Sequence, residues 1–216
     1  MTNVGIIGSG VVGIALAKGF IKYGYNVMIG SRDKAKQQEL LSSLGTTARA
    51  GDFNEVAAFA DTIVLAVKAK GAISALALCD AENLKGKTII DTTNPVDDLP
   101  PENGVLRFFT NLDESMMEQL QKAFPAAHFV KAFNSVGNGL MVDPDFGGVK
   151  PSMFICGNNE NAKKEVGEAI TRFGWEVADM GAMEAARAIE PLCMLWCIPG
   201  LRENEWMGHA FKMLKK

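Results

Sequence analysis

Asn3-Val4-Gly5-Ile6-Ile7-Gly8-Ser9-Gly10-Val11-Val12-Gly13 decides how the rest of this chain is read. Residues 3–7 form a short apolar strand. They run straight into a glycine-rich turn, and a helix-like stretch follows over 14–23. This is the order of elements that seats a pyrophosphate on a helix N-terminus. Gly8 allows the tight turn, Gly10 lets backbone approach phosphate, and Gly13 lets the helix lie close to the strand. Unpaired N–H groups of the first helical turn then face the negative charge. Gly8, Ser9, Gly10, Val11, Val12 and Gly13 are therefore candidate ligands of a dinucleotide. The other reading is a tight strand-to-helix turn with no ligand.

Outward from this turn, strand-like and helix-like runs alternate. Strands are expected over 25–29, 46–50, 62–67, 88–91 and 128–132. Helices are expected over 33–44, 52–60 (with Asp52 as N-cap), 72–79 and 114–123. Residues 62–67 are apolar and β-branched, as in a parallel strand buried on both faces. This order predicts an α/β, doubly wound Rossmann fold. Residues 134–151 carry several glycines and Asp143-Pro144-Asp145, and read as a long loop. Beyond it come strands over 153–156 and 175–178 and helices over 161–173, 183–196 and 203–214. The division expected is a dinucleotide-binding domain over 1–150 and a short α/β extension over 151–216 that completes the cleft.

The bulk composition sets limits. The chain has 216 residues, of which 48% are hydrophobic and 22% charged, with a net charge of −3. That suits a soluble domain of ordinary size and gives no electrostatic reason to expect nucleic acid or an anionic membrane as a partner. No apolar run reaches the roughly 20 residues a membrane helix needs, and the N-terminus does not read as a signal peptide, so a cytoplasmic location is expected. The cysteines, Cys79, Cys156, Cys193 and Cys197, form no C-x-x-C pair, and His128 and His209 are the two histidines, so no metal site is expected. Cys193 and Cys197, four apart on an expected helix, read as small core residues, with a redox pair as the sharper alternative.

Where the second strand ends, an acid normally meets the ribose hydroxyls of the unphosphorylated cofactor. This chain has Gly30-Ser31-Arg32 there. Arg32 offers a planar fork of donors suited to a phosphate, and Ser31 adds a hydroxyl. Alternatively Ser31 caps the next helix and Arg32 is a solvated charge. The phosphate reading makes the cofactor NADP(H).

The reacting ring should lie at the carboxyl ends of the strands, where strand order reverses. The candidates there are Val67, Lys68, Asn94, Pro95 and Asn134. Val67 and Pro95 could shape a nicotinamide slot, Asn94 and Asn134 could orient a carboxamide or a second ligand, and Lys68 could hold an anion. Turn chemistry explains the same polar residues without a ligand.

On these residues the chain resembles the NADPH:deazaflavin-coenzyme oxidoreductases of archaea and actinobacteria, and the cytosolic domains of the six-transmembrane ferric reductases. The resemblance is carried by Gly8 to Gly13, Ile29-Gly30-Ser31-Arg32, Lys131-Ala132-Phe133-Asn134, Phe154-Ile155-Cys156-Gly157-Asn158-Asn159, Ala186-Arg187 and Glu190-Pro191-Leu192. It runs nearly end to end, and the segment from Lys131 to Asn134 is nearer the ferric-reductase branch. It implies an enzyme moving hydride between NADPH and a flavin or deazaflavin acceptor, with coenzyme F420, FMN or FAD as the second cofactor. No catalytic acid or base is assigned, because the cofactors carry the chemistry. Arg187 could line the cleft or pair with Glu184 or Glu190. Two rival functions remain: reduction of a small carbonyl or imine, and a non-catalytic NADP(H) sensor. The apolar tail, with Leu195, Trp206 and Leu214, either completes the core or covers a homodimer interface.

Overall fold

A computed structural model describes residues 2–45 and 47–216. Its main sheet has six parallel strands in the order β3-β2-β1-β4-β5-β6. These are β1 (Asn3–Ile7), β2 (Asn26–Gly30), β3 (Ala48–Gly51), β4 (Thr62–Leu65), β5 (Thr88–Asp91) and β6 (His128–Lys131). The order reverses between β1 and β4, whose residues pair in register from Val4↔Thr62 to Ile7↔Leu65. This is the doubly wound Rossmann topology that the strand–helix alternation predicts.

Alternation along the strands sorts their side chains into two cores. Ile6, Val64, Ile90 and Val130 join one cluster, which α1 (Val11–Lys22), α2 (Lys34–Leu44) and α7 (Glu160–Arg172) cover. Ile7, Ile63, Leu65, Ile89 and Phe129 join the other, beneath α3 (Phe53–Phe59), α4 (Ala72–Leu76) and α6 (Met116–Ala123). Both faces are buried, which is why the strands read as unbroken apolar runs.

The helix starts follow local chemistry. Asp52 caps α3 in a full capping box, accepting from Glu55 N at 2.8 Å while Glu55 Oε2 accepts from Asp52 N at 2.8 Å. Ser115 and Glu118 repeat the device at α6. Asp33, rather than Ser31, caps α2 through Ala35 N.

Residues 151–216 form a parallel pair, β7 (Ser152–Ile155) and β8 (Glu176–Asp179), joined by α7. Met153, Ile155, Val166, Ile170 and Phe173 share one cluster with Val4, Leu16 and Phe20, so apolar packing runs across residue 150. Lys131 N donates to Cys156 O at 3.0 Å and ties β6 to the end of β7.

Four expectations are corrected. The strand over 62–67 ends at Leu65: Ala66 N still donates to Ile7 O at 2.8 Å, but the chain then turns so that Ala66 O and Val67 pack against Gly8. The helix over 72–79 stops at Leu76, and a short α5 (Ala81–Leu84) follows. The helix over 183–196 is broken. A 3₁₀ turn over Met183–Ala185 leads into α8 (Ala186–Ile189), and α9 (Leu192–Glu203) begins after Pro191, which has no N–H to continue the ladder. Residues 204–216 hold no helix. Asn204 takes φ 59° and ends α9, Trp206 folds back over Gly200, and Phe211 O accepts from Ser152 N at 2.9 Å. The tail is spent covering α9 and β7. Of the expected strand over 46–50, Thr46 lies outside the described residues. Among the described residues no helix is long and apolar enough to cross a membrane.

Candidate functional site

The glycine turn lies at the β1/β4 switch point. Gly8 has φ +123°, and a Cβ there would sit 2.2 Å from Ala66 O; one on Gly13 would sit 2.1 Å from Gly8 O. Both positions exclude a side chain. Gly10 differs: a Cβ would meet nothing within 4 Å. It opens α1 at φ −81°, with no side chain capping the helix and no acid in its first turn. The amides of Val11, Val12 and Gly13 have no hydrogen-bond partner among the described residues, and Val11 is 68% exposed. Free amides, a bare approach and the positive end of a helix form an anion cradle.

At the end of β2, Ser31 is buried and doubly anchored. Its N–H donates to Gly51 O at 3.0 Å, and Gln37 Nε2 donates to its carbonyl at 2.8 Å. Ser31 Oγ accepts from Asp33 N at 3.2 Å, which leaves the hydroxyl proton free to donate. Arg32 is exposed. Among the described residues no carboxylate lies within salt-bridge distance of it. Asp33 is occupied with its cap. A hydroxyl and an unpaired guanidinium on this strand end suit a 2′-phosphate.

At the other end of the cleft, Val67 is half-buried, Pro95 is buried, and Lys68 is exposed at the start of a 3₁₀ turn (Ala69–Gly71). Asn94 and Asn134 come together. Asn94 Nδ2 donates to Asn134 O at 2.7 Å, and Asn134 Nδ2 donates to Asn94 Oδ1 at 3.1 Å and to Ile189 O at 2.9 Å. Phe133 is buried at φ 58°, a strained conformation for a bulky residue, and it turns the chain into this contact. Three buried polar atoms have no hydrogen-bond partner among the described residues: Asp91 Oδ2, which is ion-paired with Lys131, Thr93 Oγ1 and Asn134 Oδ1. Such orphans call for an explanation. A carboxamide, with an N–H and a C=O, offers the partners that the Asn134 acceptor and the Thr93 hydroxyl lack. Asn94 is spent supporting Asn134.

Asp91 and Glu190 are the residues that sequence reasoning missed in this region. Asp91 and Lys131 end adjacent strands in register. Lys131 Nζ lies 2.7 Å from Asp91 Oδ2 and 2.8 Å from Glu190 Oε1, with no side-chain surface exposed on Lys131 or Asp91. Burial works against the Lys131 charge, but the two carboxylates outweigh it and raise its pKa. Opposite charges closing two otherwise apolar strands were the signal available in the sequence.

Arg187 pairs with neither Glu184 nor Glu190. Its guanidinium grips Glu118 in a fork, with Nη2–Oε1 at 2.5 Å and Nε–Oε2 at 3.0 Å. That hydrogen bonding, aided by Ser115 and opposed by burial, holds Glu118 down at about 2. Arg187 and Glu190 also line a cavity of about 220 Å³ with Phe108, Ser115, Pro191 and Met194. A hollow of about 280 Å³ is lined by Thr2, Tyr23 and Arg172 together with Val4, Thr62 and Ile90 of the central strands, and by none of these residues.

Burial, more than any other cause, raises Cys79 to about 11 and Cys156 to about 12, as suits inert core thiols. Cys193 and Cys197 face each other at 3.9 Å. Among the described residues no group of three or more His, Cys, Asp or Glu side chains could hold a metal ion.

A glycine cradle at a switch point, with a cationic strand end on one side and unpaired polar atoms on the other, marks the chain as a Rossmann-type dinucleotide-binding protein. Comparison with known proteins narrows that class. Residues 3–95 match the family model described as NADP oxidoreductase, coenzyme F420-dependent. A crystal structure from Arthrobacter sp. FB24, provisionally described as an F420-dependent NADP-reductase, superposes with a TM-score of 0.91 and 30% identity over 100% of both chains. The F420-dependent NADP reductase of Methanothermobacter marburgensis is 27% identical over 198 residues, 87% of each chain. Metalloreductase STEAP3 of Rattus norvegicus is 30% identical over 204 residues, covering 92% of this chain and 38% of that protein. The chain thus spans little more than a third of the metalloreductases' length. On its 30% identity with the Arthrobacter protein over the whole of both chains, it belongs to the coenzyme F420-dependent NADP oxidoreductase family.

Proposed function

We propose that this protein transfers hydride between NADPH and the ring of a flavin or deazaflavin acceptor, F420 being the first choice and FMN or FAD the alternatives. The observation that carries the cofactor half is the uncapped start of α1 opening onto free space at Gly10. The acceptor half rests on the end-to-end likeness to the Arthrobacter protein.

In this reading the amides of residues 9–13 hold the pyrophosphate, and Ser31 and Arg32 hold the 2′-phosphate. Val67 and Pro95 wall the nicotinamide, Asn134 orients its carboxamide, and Lys68 attracts an anionic group at the cleft mouth. NADPH supplies the hydride when bound. The protein's part is to align two rings and exclude water, so no side chain need move a proton. Residues 151–216 serve as an extension of the Rossmann domain that closes the cleft. The exposed apolar residues of α9 and the tail form a homodimer contact. Neither nucleic acid nor membrane is a partner.

The test adds NADPH to the pure protein with F420, FMN, FAD, a ferric chelate and small carbonyls or cyclic imines in turn, following absorbance of the reduced nicotinamide. Oxidation with F420 or a flavin is expected. Turnover with carbonyls or imines alone would replace the acceptor assignment. Tight NADPH binding without oxidation by any of them would make the protein a sensor.

A further inference from the structure

The buried charges at the ends of β5 and β6 touch every element that carries the unpaired polar atoms. We infer that Lys131, locked between Asp91 and Glu190, is a positioning residue that keeps Thr93 Oγ1 and Asn134 Oδ1 presented to a carboxamide. This rests on the nicotinamide placement proposed above.

Lys131 Nζ donates to Thr93 O at 2.8 Å and pairs ionically with Asp91 Oδ2 at 2.7 Å and Glu190 Oε1 at 2.8 Å. Thr93 N donates to Asp91 Oδ1 at 2.9 Å. Both backbone groups of Thr93 are thus pinned by the charge network, which fixes the position from which its hydroxyl projects. Glu190 accepts from Met116 N at 2.9 Å and Met117 N at 3.0 Å, the first amides of α6, so the carboxylate is moored at a helix N-terminus.

The same mooring reaches Asn134. Ile189, the residue before Glu190, offers its carbonyl to Asn134 Nδ2, and Asn94, the residue after Thr93, offers its Oδ1. Both amide protons of Asn134 are consumed inside the protein. Its Oδ1 is left without a partner, and the Thr93 hydroxyl is free to donate. A primary carboxamide complements that pair.

Stability alone is a poor account of such a network. Replacing a buried ion triad with apolar side chains is often neutral or stabilising, whereas a triad can hold one arrangement of its neighbours. Each unpaired buried atom also carries a desolvation cost in the free protein.

The experiment compares equilibrium binding of NADP with that of its 3-acetylpyridine analogue, in which a methyl ketone replaces the carboxamide and no N–H remains for Asn134 Oδ1. Wild type should prefer NADP by about tenfold, the size of one buried hydrogen bond. Asn134→Leu should abolish that preference. Glu190→Gln should lessen it severalfold while the analogue still binds at near wild-type strength, because the phosphate contacts are untouched.

Circular dichroism checks the fold of each variant. If Glu190→Gln does not fold, the neutral triple variant Asp91→Asn/Lys131→Met/Glu190→Gln, which leaves no unpaired charge, carries the same expectation. A wild-type preference retained in the Glu190 or triple variant, but lost in Asn134→Leu, would overturn the positioning role. No preference in the wild type would overturn the carboxamide contact as well. Failure of wild type to bind either dinucleotide would instead strike at the cofactor reading.

Discussion

At the scale of single residues, the cofactor cleft is defined by what two positions leave undone. Arg32 has no acidic partner among the described residues, and Asp33 is committed to its cap. A guanidinium so placed should distinguish the two nicotinamide dinucleotides. Arg32→Glu is expected to weaken NADPH by about 2 kcal/mol or more, roughly thirtyfold, with a far smaller effect on NADH. Titrating both cofactors by fluorescence checks this, and equal losses would remove Arg32 from the phosphate site. Gly10 is the second position. Its φ of −81° suits any residue and its Cβ direction is open, so Gly10→Leu should fold normally. The leucine would occupy the approach to the α1 amides, and NADPH affinity should fall at least a hundredfold by calorimetry, with the melting temperature little changed. Unaltered affinity would move the pyrophosphate elsewhere.

At the scale of elements, α6 and α8 are joined by the Arg187–Glu118 fork, and this gives the fold an acid-sensitive seam. Glu118 sits at about 2, below its usual 4.5. The unfolded chain therefore binds the proton first as pH falls, and stability rises with pH across that window. The contribution is complete above about 4.5 and is lost as pH drops through about 2. Arg187 is 40% exposed, so solvent screens the pair and keeps its contribution at neutral pH small. Urea unfolding followed from pH 5 to 2 should show a shallower decline for Glu118→Gln than for wild type, and parallel curves would deny the pair its role.

The same elements show which features a sequence reveals. Strands and early helices were legible because each repeats a local rule: apolar runs for a sheet buried on both faces, Asp52 three residues before Glu55 for a cap. The glycine turn was legible because its geometry forbids side chains at Gly8 and Gly13. The broken helix around Glu190-Pro191 and the unwound tail were not. There the deciding partners are distant in the chain: Lys131 for Glu190, Ser152 for Phe211, Gly200 for Trp206. The Arg187 partner failed for the same reason, since Glu118 lies 69 positions away while Glu184 and Glu190 sat conveniently close.

At the scale of the molecule, two cores clasp one sheet, and the segment beyond residue 150 is packed into the first of them. Apolar side chains of α9 and the tail stay exposed: Leu195 is 55% exposed, Leu201 36% and Met207 55%, while Trp196 on the same helix is buried beneath stacked His209. Burying side chains of this size is worth about 1.5–3 kcal/mol each, and closed two-fold contacts are the commonest way to do so. Light scattering at micromolar concentration should give twice the chain mass, and Leu195→Asp should shift the population toward monomer with the fold retained by circular dichroism. A wild-type monomer at all concentrations tested would assign these residues to the surface of a single chain. A dimer indifferent to Leu195→Asp would place the two-fold contact on another face.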